Sequence, residues 1–344
     1  MTPDASVPAR VPVIAITGYL GAGKTTVLNH LLRAPGARLG VIVNDFGELD
    51  VDAASVAGRA DEIASIAGGC ICCLPEAGGL DEALERLAQP EHRVDAILVE
   101  ASGAADPMTL AQLIRFSGAE RIRPGGVIEI IDAVEHFHTV DTGRVPPERY
   151  DAASLVVIAK SDRIPRSADR AKVVNRIIER VRMRNPHAQC ITAHLGRIDP
   201  SLIFDAPLPS SSAGPGRDAP TEAHSTHAEH PGVAAVARAT PGAISPTALI
   251  DLLEHPPPGT YRLKGRVRIR WPRADRGYLV NLVGRAIHIA PLDRPPRRGE
   301  LVLIGTGLDT GIGEARLDAA LQSPAIRPDA RGLRRLRRYR LLSE

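Results

Sequence analysis

Residues 18–26 read Gly18-Tyr19-Leu20-Gly21-Ala22-Gly23-Lys24-Thr25-Thr26 and follow directly on the apolar run Val13-Ile14-Ala15-Ile16. The spacing is a complete G-x-x-x-x-G-K-[ST]. In such a loop Gly18, Gly21 and Gly23 let the backbone curl until successive N–H groups, that of Ala22 included, face one anion. Lys24 then reaches the β- and γ-phosphates, Thr25 is placed to hold Mg²⁺, and Thr26 closes the cradle. The chemistry this implies is phosphoryl transfer from a nucleoside triphosphate to water or to a second substrate, driven by positioning and charge neutralisation. The pattern Val27-Leu28-x-x-Leu31-Leu32 predicts a helix behind the loop, so strand, loop and helix agree.

A second cluster stands at Gly68-Gly69-Cys70-Ile71-Cys72-Cys73-Leu74, which holds three of the four cysteines in the chain. Neighbouring Cys72 and Cys73 make a poor disulfide, because the bridge needs Cα atoms about 4.4–6.8 Å apart with converging Cβ vectors. Soft thiolates offered together on a glycine-flexed loop suit Zn²⁺, Cu⁺ or a similar thiophilic ion. Buried or redox-active cysteine is the competing reading. Cys190 stands alone and reads as packing.

Together these segments resemble the CobW/HypB/UreG family of P-loop GTPases, and most closely its CobW-like metallochaperone branch. Gly18 to Thr26 is similar to the family's GxLGAGKTT loop, Val43-Asn44-Asp45-Phe46-Gly47-Glu48 to its VNEFGE segment, and Gly68 to Cys73 to its GGCxCC signature. Val99 to Pro107 resembles the xExSGLADP stretch, and Val127 to Ala133 the next strand with its trailing Asp-Ala. Further on, Leu263-Lys264-Gly265 resembles the opening of a CobW C-terminal domain. Val280 to Gly284 fits a middle strand, and Gly299 to Gly305 with Leu308-Asp309 the closing one.

The resemblance implies a zinc-binding, GTP-hydrolysing metallochaperone that hands its ion to a client apo-metalloenzyme. Cobalt is the alternative cargo, for cobalamin synthesis or nitrile hydratase activation, and a homodimer is admitted. Glu100 resembles the acidic residue that supports Mg²⁺, and Gly103 the residue whose N–H senses the γ-phosphate. Asp45 and Glu48 fall on the loop that responds to that phosphate, and either could orient the attacking water. Cys70, Cys72 and Cys73 take the metal, organised in the GTP state and released on hydrolysis. One position departs from the family: its base-reading motif is Asn-Lys-x-Asp, whereas Val156-Val157-Ile158-Ala159-Lys160-Ser161-Asp162 has Ala159 in place of the Asn. Asp162 keeps the carboxylate that pairs with guanine and Lys160 can cover the ring. The lost amide bond is worth about 0.5–1.5 kcal/mol. GTP therefore stays first and ATP remains open. A reading of another class, a P-loop small-molecule kinase, would fit ATP use but leaves the cysteine loop without a purpose.

The elements that must position these groups are those of a doubly wound α/β sheet. Strands are expected at 13–17, 39–43, 95–100, 126–131 and 154–159, with functional loops at their carboxyl ends. The expected order is a P-loop GTPase domain over 1–205, a flexible Pro/Ser/Gly-rich linker over 206–232, a smaller α+β domain over 233–322 and a basic tail over 323–344. The linker carries His224, His227 and His230, whose three-residue period suits a low-affinity metal reservoir or a merely solvated segment. His136 and His138 alternate near the first domain and are weaker ligand candidates.

A chain of 344 residues that is 44% hydrophobic can bury a sizeable core. Four cysteines without a spaced framework point to a reducing, cytoplasmic setting. The N-terminal apolar stretch is only a strand's length and is not read as a signal peptide. Nor does any run approach the roughly 18–20 apolar residues that cross a bilayer. The formal charge of +3 is unevenly placed, because the tail has seven arginines against Asp329 and Glu344. With Leu333, Leu336 and Leu341 among them, the tail reads either as a solvated extension or as an amphipathic helix for an acidic partner, a membrane surface or RNA. Aromatics at 3% argue against stacking on single-stranded nucleic acid.

Overall fold

The computed structural model describes residues 10–35, 37–44, 62–66, 78–165, 168–204, 233–322 and 329–343. Asp45, Glu48, Cys70, Cys72 and Cys73 lie outside the described residues, as do the linker 206–232 and its His224, His227 and His230.

The run Val11–Gly18 forms β1, buried at every position from Pro12 onward, because both of its faces are covered. Near-continuous apolar runs of this kind belong to parallel sheets with helices on both sides. The remaining strands are β2 (Leu39–Asn44), β3 (Glu62–Ile66), β4 (Ala96–Glu100), β5 (Ile122–Asp132), β6 (Leu155–Ala159) and β7 (Gln189–Thr192). They make one seven-stranded sheet in the order β3-β2-β4-β1-β5-β6-β7, parallel throughout. The five expected strands are all present. The two unexpected ones, β3 and β7, are the sheet edges, and β7 is only half-buried. Edge strands carry weaker apolar patterning because one side lacks a neighbour.

Helix α1 (Lys24–Leu31) turns Val27, Leu28 and Leu31 onto one face of the sheet. Helices α2 (Gly78–Leu87) and α3 (Pro107–Arg115) cover the other, with Leu80, Leu84, Leu87, Leu110 and Ile114 in one cluster. Asp106 starts α3 by accepting from Met108 N and Thr109 N, with Pro107 at the first helical position. Short α4 (His136–Thr139) follows β5. Helix α5 (Arg170–Arg184) buries Ile177 and Val181 against β6 residues. The strand order reverses on either side of β1, which opens a crevice at the carboxyl ends of the strands where α/β proteins bind ligands.

The second domain is an antiparallel sheet in the order β11-β10-β9-β12-β8, built from β8 (Val233–Thr240), β9 (Thr260–Ile269), β10 (Arg276–Val283), β11 (Ala286–Leu292) and β12 (Gly299–Thr306). Helices α6 (Pro246–Glu254) and α7 (Thr310–Leu321) pack on it, capped by the Ser245 and Asp309 side chains. The basic tail does not stand free. It forms α8 (Ala330–Ser343), whose Leu333 and Leu336 enter the domain core. Arg335 bonds Asp251 and Glu254, each at 2.6 Å, and Tyr339 donates to Glu254 at 2.9 Å. The leucines at i and i+3 supply an apolar stripe, and the acidic face of α6 supplies the counter-charge.

The domains share a core. Tyr261, Val283, Val302 and Ile304 belong to the same packed cluster as Leu155, Ile198, Leu202 and Phe204. Polar ties flank it: Thr306 donates to Gln189 at 2.8 Å, and Arg10 donates to the Ser343 carbonyl at 2.9 Å. Because Leu336 is 1% exposed, Leu336→Ala should destabilise the protein by about 2–5 kcal/mol, seen as a lower denaturant midpoint in equilibrium unfolding.

Candidate functional site

At the end of β1 the backbone enters left-handed or otherwise glycine-only conformations at Gly18 (φ 148°), Gly21 (φ 75°) and Gly23 (φ 107°). A Cβ on Gly18 would stand 2.6 Å from the Ile130 carbonyl oxygen, so space as well as φ demands glycine there. Gly23 caps α1, whose first turn holds no acidic residue. The helix therefore offers its free N–H groups and positive end to an anion. The Lys24 ammonium donates to the Gly18 carbonyl at 3.0 Å and the Tyr19 carbonyl at 3.3 Å. Thr25 donates to Glu100 at 2.9 Å, and Glu100 is buried at the end of β4.

Gly103 lies hard against the loop: a Cβ there would be 2.6 Å from Leu20 N and 2.7 Å from Leu20 Cα. The segment after β4 thus runs directly against the phosphate loop, with no room for a side chain at position 103. Thr26 is wedged against the turn after β7, where a Cβ on Gly196 would meet the Thr26 methyl at 2.7 Å.

Lys160 takes a left-handed conformation (φ 57°) and sends its ammonium back to the loop, 2.6 Å from the Gly21 carbonyl and 2.6 Å from the Asp132 carboxylate. Asp162 is half-buried in the short 3-10 turn Ser161–Arg163 that follows. Ala159 is buried, its methyl 3.9 Å from where a Gly23 Cβ would be, so position 159 faces the phosphate loop. An amide there would reach the loop, and the methyl does not bond it.

The structure thus brings Gly18, Gly21, Ala22, Gly23, Lys24, Thr25, Thr26, Glu100, Gly103, Lys160 and Asp162 to one edge of the sheet. Sequence reasoning missed the layer beneath. Thr17 donates to Glu129 at 2.6 Å, and Arg149 donates to the same carboxylate at 2.5 and 3.3 Å. Burial pushes the Glu129 carboxyl up, against the Arg149 guanidinium, the Thr17 hydroxyl and the Lys24 charge, which favour ionisation. The available signal was Glu129 itself, a charge inside the apolar run Val127 to Ile131 that must find a partner. Asp132, which anchors Lys160, also accepts from Val134 N and Glu135 N and so shapes the turn after β5.

Beside the loop lies a cavity of about 280 Å³ bounded by Tyr19, Gly21, Asp132, His136 and Lys160. His136 and His138 do not form a pair, since the first is buried on α4 and the second exposed. His136 Nε2 lies 2.6 Å from the Tyr150 hydroxyl, and Tyr150 donates to Asp141 at 3.4 Å. Arg180 holds that carboxylate through Nε at 2.8 Å and through Nη2. Burial lowers His136 to about 4, against the pull of Asp141, and burial with Asp141 raises Tyr150. Among the described residues no group of three or more His, Cys, Asp and Glu gathers to hold a metal ion. No helix among them is long and apolar enough to cross a membrane.

A glycine-cradled helix end with Lys24, Thr25 and Glu100, on a doubly wound parallel sheet, defines a P-loop nucleotide-binding protein. The profile described as CobW/HypB/UreG, nucleotide-binding domain, matches residues 12–191, and that of the cobalamin synthesis protein cobW C-terminal domain matches residues 233–323. The chain belongs to the CobW/HypB/UreG family, and the resemblance drawn from its motifs is borne out.

It is 32% identical over 203 residues to the zinc chaperone YjiA of Escherichia coli K12, covering 57% of this chain and 61% of that protein. Identity to the zinc chaperone CobW of a Sinorhizobium species is 32% over 192 residues, covering 47% and 54%. With zinc-regulated GTPase metalloprotein activator 1 of Schizosaccharomyces pombe it is 30% over 199 residues, covering 55% and 47%. The match therefore spans between 47% and 61% of these relatives' lengths.

Folded His136 stays neutral down to about pH 4, whereas an unfolded histidine protonates near 6.5, so the unfolded chain takes up the proton first on acidification. This contribution is complete above about pH 6.5 and is lost as pH falls toward 4. His288, also lowered to about 4 by burial, acts in the same sense. Urea unfolding should show about 2 kcal/mol lost per such histidine between pH 7 and 5, and His136→Gln should remove about half of the two-histidine loss.

Proposed function

We propose that this chain is a GTP-hydrolysing metallochaperone that takes zinc on Cys70, Cys72 and Cys73 and passes it to a client apo-metalloenzyme. The observation that carries this reading is a shared edge. Strands β1, β4 and β3 are parallel, so Gly18, Glu100 and Ile66 all end on the same side of the sheet. The chain leaves β3 there and reaches the cysteines four residues later. Two strand spacings, about 10 Å, separate β3 from β4, which favours a coupling between the phosphate site and the segment that follows β3. The names of the relatives, zinc chaperones and a zinc-regulated GTPase activator, support the cargo and the reaction.

The Thr25 hydroxyl and Glu100 carboxylate, 2.9 Å apart, are the hard oxygen donors that Mg²⁺ accepts, and they would hold it. Bound with nucleotide, the ion supplies neutralisation of phosphate charge. The chain's own part is to cradle the phosphates on backbone N–H groups and to bring Lys24 over from its loop carbonyls. Asp162 and Lys160 would select guanine, with Asp45 or Glu48 orienting the water. Zinc suits three thiolates completed by Glu48, a client ligand or water. Such thiols must stay reduced, which requires a cytoplasmic setting.

Coupling requires that the ion bind the two nucleotide states differently. A hundredfold difference corresponds to about 2.7 kcal/mol, and the metal must bias nucleotide affinity by the same amount. Anaerobic competition titrations with Zn²⁺, Co²⁺ and Ni²⁺ test this on reduced protein. Zinc affinity should be at least about tenfold higher with a Mg-GTP analogue than with Mg-GDP, and Cys70→Ser should remove the difference. Equal affinities in both states would overturn the reading. Because Ala159 faces the phosphate loop, Ala159→Asn should tighten GDP about two- to tenfold, measured with a fluorescent GDP analogue.

A further inference from the structure

Beneath the phosphate loop lies a buried ion pair. Glu129 is 2% exposed, on the stretch of β5 where both chain neighbours, Ile128 and Ile130, belong to the core. Register sets its place: Thr17 stands opposite Glu129, and Gly18 opposite Ile130, in the pairing of β1 with β5. The Thr17 hydroxyl donates to Glu129 Oε2 at 2.6 Å. Arg149 takes both carboxylate oxygens, Nε donating to Oε1 at 2.5 Å and Nη2 to Oε2 at 3.3 Å. Arg149 is steadied in turn by its own 3-10 turn, Glu148–Ala152. There Tyr150 is buried, and the Asn185 side chain donates to the carbonyls of Tyr150 and Ala153, each at 2.9 Å.

The carboxylate therefore acts at the root of the loop. Thr17 directly precedes Gly18 and Tyr19, the two residues whose carbonyls accept from Lys24. Glu129 and Tyr19 also border the same cavity beside the loop, and the Lys24 charge favours the ionised form of Glu129 against its burial. A buried ion pair is a weak stabilising device, since apolar residues of like volume serve a core as well or better. Under a phosphate site it does what apolar residues could not: a fixed carboxylate orients the hydroxyl and the ammonium around it, and a rigid supporting layer keeps reacting groups in place. We propose that Glu129, fixed by Arg149, is a positioning residue for GTP hydrolysis: through Thr17 it holds the root of the phosphate loop, and so the place from which Lys24 meets the β- and γ-phosphates. The backbone N–H groups of the loop carry most of the ground-state binding, so a displaced Lys24 lowers kcat more than it raises KM.

This role rests on GTP hydrolysis at the phosphate loop and not on the metal cargo. Phosphate release by the full-length wild-type protein with Mg-GTP is therefore measured first, and no release would overturn both. Glu129→Gln keeps the volume and still accepts from Thr17, but loses the charge. It should lower kcat about tenfold with KM within about threefold of wild type, and it should lower the thermal midpoint because Arg149 loses its carboxylate. In the double variant Glu129→Gln/Arg149→Gln the thermal midpoint should recover while kcat stays low. A purely structural pair predicts that kcat recovers with the midpoint, and that result would overturn the proposal. So would a Glu129→Gln protein whose kcat lies within about twofold of wild type, or one whose loss falls in KM alone.

Discussion

A loop that aims its N–H groups at an anion must turn its carbonyls the other way, where side-chain donors can meet them. That constraint organises the nucleotide site. Lys24 takes the carbonyls of Gly18 and Tyr19, and Lys160, arriving from the far side of β5, takes that of Gly21. Asp132 holds Lys160 from the end of β5, and the Thr17–Glu129–Arg149 group forms the floor. A cation thus closes the loop from inside and another from outside.

The same edge of the sheet ties the phosphate loop to other parts of the molecule. Gly103 lies against the Leu20 backbone and Gly196 against Thr26, so the segments after β4 and β7 pack directly on the loop. Close-packed contacts of this kind move together or not at all. Through β6 and β7 the same sheet continues into the shared core with the second domain, whose Tyr261 and Thr306 meet Ser154 and Gln189. The second domain is therefore a packed extension of the first. Its α8, basic on the outside and leucine-lined within, shows how a charged segment can be structural: Arg335 is neutralised by α6 while Arg337 is turned toward Trp271.

Much of this was legible in advance where a requirement is local. Glycines at 18, 21 and 23 are demanded by positive φ, Lys24 and Thr25 by their distance along a single helix turn, and five strands by unbroken apolar runs. The spacing of these groups is short-range chemistry, and it alone determined a phosphate-binding loop on a doubly wound sheet and membership of the family. What only the tertiary structure decided were relations between distant residues. These are the Lys160–Asp132 clamp, the buried Glu129–Arg149 pair, the edge strands β3 and β7, the docking of the arginine-rich helix and the stacking of Arg276 and Arg337 on the lone tryptophan. A charge shows in a sequence without its counter-charge, because pairing depends on which strands lie side by side, and an edge strand is recognised by the neighbour it lacks.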